Sequence, residues 1–370
     1  MATDRPFLIR IRCWLQAEMP PLTWIRRVLV WIAGLLSAAA LAVIIVDPCT
    51  RYREPLLYPP YFKNAHAQLP GIVRHFDYDT LVLGSSMAQN FSLSDFERLY
   101  GQRAIKGTAA GTRAADLRVF LDFAHRSHPG TLENVCYCFD LWAFSVPADE
   151  YAHPVSHRVF YRYTYWRDYE YWWNWDVWRK YMLLPFKAVF RKNNKYTDKN
   201  MMFSWKHRRC DWGLDAIKCS LGDHRQHFSF SGNETMILDS FGKNLLPYVA
   251  DHPEVAYKVI FPPYSLIFWW QLSNSGDMEI FLASKETVIS MLLTFPNVEV
   301  YDFQVASEVI TDYDLYKDIT HYRPEVNTWM LEQIKGGAYR VSTESLACNS
   351  RLLRELCAEH ADFLRQHGFR

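Results

Sequence analysis

Neither sign of charge is in excess in this chain. Its 370 residues carry 41 lysines and arginines against 40 aspartates and glutamates, which excludes the strongly cationic surface of a default nucleic-acid binder. No internal repeat of the solenoid or propeller type is visible. The eight cysteines (Cys13, Cys49, Cys136, Cys138, Cys210, Cys219, Cys348 and Cys357) include no Cys-x-x-Cys pair. His207, His224 and His227 lie near Cys210 and Cys219 but form no helical His-x-x-x-His. The spacings of a zinc site are missing, so these histidines read as solvated loop residues, and no metal or cofactor is called for. Cys210 with Cys219 could pair in an oxidising compartment. Cys348 and Cys357 could pair only if their segment is not one straight helix. Cys136 and Cys138, on a buried strand, are expected to point their thiols to opposite faces.

Long apolar runs are also lacking, with one exception. Residues 28–46 (VLVWIAGLLSAAALAVIIV) contain no charge, and about 20 such residues cross the ~30 Å hydrocarbon core of a bilayer. Arg5, Arg10, Arg12, Arg26 and Arg27 precede the run, and Asp47 and Pro48 follow it. The positive-inside rule then puts residues 1–27 in the cytoplasm and everything after 47 outside. A cleaved signal peptide is the rival reading, with Ser37-Ala38-Ala39-Ala40 as a cleavage site. The run continues through Val46, which favours an uncleaved single-pass anchor. Residues 47–75, rich in proline and aromatics, read as a linker to an extracytoplasmic domain at 76–370.

Beyond residue 75, short apolar runs alternate with helical stretches. Residues 79–83, 102–107 and 134–140, with Ala256–Phe261 and Val298–Asp302, read as strands. Residues 92–100 open on a Ser-x-x-Asp pattern like a capping box, and 114–125 carry apolar residues at helical spacing. Strands separated by helices imply crossovers and a parallel sheet. The expected fold is a three-layer α/β/α sandwich around a five-stranded parallel sheet, with functional groups at the carboxyl ends of the strands. Residues 145–245 interrupt the alternation and read as an insertion over the sheet. Its first half, 159–190, is dense in tryptophan and tyrosine. Packing onto the main domain is the expected role, with membrane or partner contact and stacking on sugar rings as alternatives.

Two short motifs fall on the same sheet edge. Leu81-Val82-Leu83-Gly84-Ser85-Ser86 ends the first strand in a glycine and two serines, and Asp318-Ile319-Thr320-His321 lies late in the chain. A serine hydroxyl is a weak nucleophile until an imidazole takes its proton, and a carboxylate fixes the tautomer of that imidazole. Each residue has a plainer role open to it. Ser86 could cap a helix, Asp318 could cap the last one, and His321 could pack a loop. Order and placement together favour the catalytic set.

These blocks resemble the SGNH (GDSL-like) hydrolase superfamily, in the membrane-anchored branch that includes the D-alanyl-transfer protein of teichoic acid modification. The alginate-type polysaccharide O-acetylation proteins are similar at greater distance. The resemblance spans roughly residues 75–335. Gly84-Ser85-Ser86 stands where the superfamily has Gly-Asp-Ser, so the resemblance implies Ser86, not Ser85, as nucleophile. It implies Asp318 and His321 as the late Asp-x-x-His. Ala109-Ala110-Gly111-Thr112 is similar to the second block, which implies the N–H groups of Gly111 and Ser86 as oxyanion donors. The third block, Gly-x-Asn-Asp, has no counterpart in Tyr137-Cys138-Phe139-Asp140-Leu141-Trp142-Ala143-Phe144. One lost oxyanion donor typically costs ~10²–10³ in rate.

The resemblance implies a membrane-anchored serine acyltransferase, working through an acyl-serine on a cell-envelope polysaccharide. It would sit in the bacterial cytoplasmic membrane with its domain in the periplasm, and a multi-spanning (MBOAT-like) membrane acyltransferase would deliver the acyl group. A periplasmic carbohydrate esterase is the alternative enzyme. A non-catalytic envelope scaffold that retains the fold is the alternative from another class.

Overall fold

The computed structural model describes residues 20–153, 157–190, 196–205, 210–222 and 233–369; Arg5, Arg10, Arg12, Cys13, His207, His224 and His227 lie outside them. The apolar run forms helix α1 (Pro21–Val46). Pro21 suits the first turn, where its missing N–H has no intrahelical acceptor. With 26 residues, α1 is long and apolar enough to cross a membrane. Asp47 ends it in a left-handed conformation (φ 45°). Its last carbonyls are not left bare: Arg53 Nη2 donates to those of Ile44 (3.0 Å) and Ile45 (2.7 Å), and the Tyr58 hydroxyl donates to Val46 O (2.9 Å). A cation at a helix C-terminus also complements the helix dipole.

Residues 47–75 are not the free linker that their composition suggests. They include helix α2 (Ala65–His75), capped by Asn64, whose side chain accepts from Ala67 N (3.1 Å). Leu69, Ile72 and Val73 of α2 are fully buried in the main core. Apolar residues at i, i+3 and i+4 make one helical stripe, and that stripe has a sheet to cover.

The remaining main elements run β1 (Thr80–Gly84), α3 (Leu93–Tyr100), β2 (Ala104–Thr108), α4 (Ala114–Ser127), β3 (Asn134–Cys138), α5 (Tyr169–Trp172), α6 (Leu184–Phe190), α7 (Asn233–Asn244), β4 (Ala256–Phe261), α8 (Leu266–Ser275), α9 (Met278–Leu292), β5 (Val298–Asp302), α10 (Pro324–Lys335) and α11 (Thr343–Glu359). The strands form one parallel sheet in the order β2-β1-β3-β4-β5. Leu81 and Leu83 point to the α4 side, where Gly107 leaves room for the Leu83 side chain and approaches Phe120. Thr80, Asn134, Cys136 and Lys258 point the other way, towards Phe96 and Tyr100 of α3 and Ile334 of α10. One helical layer is thus built from α2, α4, α7 and α9, and the other from α3 and α10. This is the expected α/β sandwich. Each fully buried leucine of β1 contributes about 1.5–3 kcal/mol through the water-exposed area it loses.

Several local expectations are corrected. The Ser92 hydroxyl does not cap α3; it meets Ser94 Oγ (2.8 Å) and donates to Asn200 Oδ1 (3.2 Å). Cys136 and Cys138 share one sheet face, because residues two apart on a strand do so. At about 7 Å of strand rise they are too far apart for a disulfide. Cys210 and Cys219 are both free, as are Cys348 and Cys357. The last two lie on the continuous helix α11, which holds them on separate turns.

The insertion builds a second, smaller core. Phe160, Tyr171, Val177, Tyr181, Leu184 and Ala188 pack with Val43 of α1 and with Cys49, Tyr61 and Ala67. A buried ion pair fastens it: Arg51 Nη2 meets Asp168 Oδ1 at 2.9 Å, both side chains 1% exposed. The same guanidinium donates to the carbonyls of Arg162 (2.6 Å) and Thr164 (2.8 Å). Every buried donor of this arginine therefore faces an acceptor, which a desolvated charge requires.

Candidate active site

The crossing order of the sheet decides where a site can form. With β1 between β2 and β3, the chain leaves the sheet towards opposite faces after neighbouring strands, the arrangement that favours a site at their carboxyl ends. Ser86 follows β1, Gly111 follows β2 and Asp140 follows β3, so all three stand on that edge.

The β1 exit is tightly constrained. Gly84 has φ +150°, and a Cβ there would sit 2.7 Å from Ala88 Cβ and 3.0 Å from Cys138 Cβ. Only glycine lets the chain turn this closely against β3. Ser85 then points inwards, its hydroxyl donating to Asp140 Oδ2 at 2.9 Å. Asp140 Oδ1 accepts from the Tyr264 hydroxyl (2.6 Å) and from Trp142 N–H (3.2 Å). Burial, with the Asp140 charge beside it, pushes the Tyr264 phenol well up, so it is a firm proton donor here. Asp140 acts as an acceptor that anchors the turn. A carboxylate held by three donors accepts hydrogen bonds and offers no N–H of its own.

Ser86 faces outwards to the late loop. Its Oγ lies 2.7 Å from His321 Nε2. The other ring nitrogen, Nδ1, lies 2.8 Å and 3.0 Å from the two Asp318 oxygens. Asp318 has no proton to give at neutral pH, so Nδ1 carries the hydrogen and Nε2 is left as the acceptor for the serine proton. Burial by itself opposes ionisation of Asp318. The His321 ring outweighs it, with the backbone N–H groups of His321 (2.7 Å) and Thr320 (3.0 Å), and the carboxyl is lowered to about 2.

The loop carrying Asp318 and His321 is closed on itself and pinned to the sheet. Tyr316 and Tyr322 form an antiparallel bridge around it, and Lys317 N–H donates to His321 O at 3.1 Å. Ile319 O accepts both the N–H (3.0 Å) and the hydroxyl (2.8 Å) of Ser265, which follows β4. The Tyr316 hydroxyl donates to Pro263 O (3.1 Å). The segment after β4 thus supports the loop of Asp318 and His321 through Pro263 and Ser265.

Gly111 sits in the loop after β2 with φ +69°. The Thr112 hydroxyl donates to Ala109 O and reaches Gly84 O at 3.4 Å, which ties this loop to the serine turn. Among the described residues, neither the Ser86 N–H nor the Gly111 N–H is spent on a protein acceptor. Uncommitted backbone donors are the kind of group that an oxyanion requires. No third donor from the β3 exit joins them.

The insertion supplies residues that sequence reasoning did not find. Trp205 Nε1 donates to Ser86 O at 3.0 Å. Its ring meets the His321 ring edge-on, with centroids 5.8 Å apart, and Lys317 Nζ lies 4.3 Å over its face. Trp212 stacks beyond it, covered by Arg323. Lys106, fully buried, donates to the carbonyls of Gln89 and Asn200, both at 2.9 Å. It crosslinks the serine turn to the insertion. No spacing signal could have found Trp205, because the contact joins residues 119 apart across an irregular segment. Lys106 carried a faint signal, as a charge inside an otherwise apolar strand.

No family model matches this chain, and no curated protein matches it.

Proposed function

We propose that this chain is a membrane-anchored serine acyltransferase of the SGNH type, acting on a cell-envelope polysaccharide. The single observation that carries the reading is the 2.7 Å contact between Ser86 Oγ and a His321 ring whose far nitrogen is held by Asp318. In the first half-reaction His321 Nε2 takes the Ser86 proton as Oγ attacks an acyl carbonyl. The carbonyl oxygen becomes an oxyanion facing the N–H groups of Ser86 and Gly111. Collapse breaks the bond to the donor's leaving oxygen, which receives the proton from His321, and leaves an acyl-serine. In the second half-reaction a sugar hydroxyl gives its proton to His321 and attacks the acyl-serine, which regenerates Ser86.

Helix α1 is the anchor in this reading, with Arg26 and Arg27 on the cytoplasmic side and the domain outside. An acyl group made inside the cell then has to be handed across, and a multi-spanning membrane acyltransferase is the fitting donor. The test is the base-labile ester content of purified envelope glycan from cells carrying Ser86→Ala. Transferase action predicts that esters fall to background while the variant stays folded in the membrane. A rise in esters would indicate an esterase, and an unchanged content would leave the chain a scaffold.

A further inference from the structure

We propose that residues 166–190 of the insertion lie in the same membrane leaflet as the C-terminal half of α1, so that the domain is partly embedded and not held off on a tether. The inference rests on the reading of α1 as a spanning helix. Trp173 Nε1 donates to Leu36 O at 3.1 Å. Leu36 lies about 15 Å below the end of α1 at ~1.5 Å per residue, roughly halfway through a ~30 Å hydrocarbon core. Any position of α1 that puts Val28 to Val46 across the bilayer therefore takes Trp173 in with it.

The surface around Trp173 has the composition such a position demands. Helix α6 buries Leu184 and Ala188 in the second core, and its other face is apolar too. There Phe186, Val189 and Phe190 are exposed, Phe190 at 78%, as are Leu183 just before the helix and Trp175 earlier in the segment, the latter at 74%. In water this cluster is a liability, whereas indole and phenyl rings settle favourably near the headgroup boundary. The exposed apolar face of α1, which includes Leu35 and Leu41, is joined to this segment through the Trp173 bond to Leu36. Several of the charged side chains nearby are matched within the protein, Arg162 and Arg167 with Glu170 and Lys180 with Asp176, and the long stems of Arg179 and Lys187 let their charges reach the headgroups. The position is rigid, because the Arg51–Asp168 pair and the Trp172 Nε1 bond to the Tyr52 hydroxyl (2.7 Å) lock the insertion to the end of α1. Embedding on this side sets a fixed height for the Ser86 edge above the bilayer.

Spin labels in the full-length chain test this. Cys13, Cys210, Cys219 and Cys348 are first changed to serine, the remaining cysteines being buried. Nitroxides are then placed by Leu35→Cys, Trp175→Cys, Phe190→Cys and Asp362→Cys, and the protein is reconstituted into phosphatidylcholine–phosphatidylglycerol vesicles. Collision with oxygen should exceed collision with a water-soluble nickel chelate at 35, 175 and 190, and the order should reverse at 362. Nickel dominance at 175 and 190, with 35 still lipid-exposed, would overturn this inference alone. Low collision with both reagents at 175 and 190 would also overturn it, because protein and not lipid would then cover the patch. Nickel dominance at 35 would remove the spanning helix, and the anchored reading of the function with it.

Discussion

Replacing Asp140 by alanine asks whether a carboxylate at the β3 exit holds the serine turn in place. Three donors converge on it: the hydroxyls of Ser85 (2.9 Å) and Tyr264 (2.6 Å) and the N–H of Trp142 (3.2 Å). Ser85 and Tyr264 are both buried, so alanine strands two hydroxyls where water does not compensate them. A hydrogen bond to a charged acceptor contributes about 1.5–3 kcal/mol, and an orphaned buried donor costs about 1–3 kcal/mol. The lost cap on Trp142 adds about 1 kcal/mol. These effects overlap, and their combination comes to about 3–5 kcal/mol, a large share of the ~5–15 kcal/mol typical of a domain. Asp140→Asn keeps one acceptor oxygen and should lose about half as much. Tyr264→Phe removes a donor but strands nothing, and should cost about 1–2 kcal/mol. The Asp140→Asn/Tyr264→Phe double variant should cost less than the sum, since both changes break one contact. Urea unfolding of the full-length chain in detergent micelles, followed by near-ultraviolet circular dichroism, reads all of these. Turnover of an activated aryl acetate should fall about 10²-fold in Asp140→Ala, because a serine displaced by ~1 Å loses its alignment with His321. A stability loss below ~1 kcal/mol in Asp140→Ala would refute the anchoring role. So would a rise in turnover in Asp140→Asn, because the position would then serve better as an oxyanion donor.

Gly84→Ala meets both a strained φ and two Cβ contacts at 2.7 and 3.0 Å, and should cost about 1–3 kcal/mol with loss of turnover; wild-type melting would contradict the close approach of β1 to β3. The Asp318 carboxyl is lowered to about 2, below its value of ~3.9 in an unfolded chain. Its stabilisation is therefore full above pH ~4 and lost as pH falls towards 2. Wild type and Asp318→Asn should differ by about 2 kcal/mol at neutral pH and converge near pH 2 in urea titrations; a constant gap would contradict the depressed carboxyl. Asp168→Ala strands the buried Arg51 guanidinium and should destabilise the insertion by about 3–5 kcal/mol, seen as early protease cleavage within residues 157–190 of the vesicle-reconstituted chain.

The parallel sheet and the apolar helix were legible in the sequence for a local reason. Strand and helix periodicities are properties of neighbouring residues, and β4 and β5 fall on the bounds that their apolar runs mark. Ser86, Gly111, Asp318 and His321 were legible as strand-end and loop motifs, and folding brings Ser86 and His321 together across 235 residues. Composition misled at residues 65–75, where the proline- and aromatic-rich stretch 47–75 suggested a linker. The stripe of Leu69, Ile72 and Val73 has meaning only once a sheet lies beneath it. It misled at Ser92 too, where a competing acceptor from the insertion took the hydroxyl. Only the tertiary structure decided that Asp140 anchors the serine turn, that Trp205 closes over His321 and that Arg51 bolts the insertion to α1. Each of these is a contact between segments far apart in the chain, formed because a buried donor or charge must find its partner wherever the fold has put one.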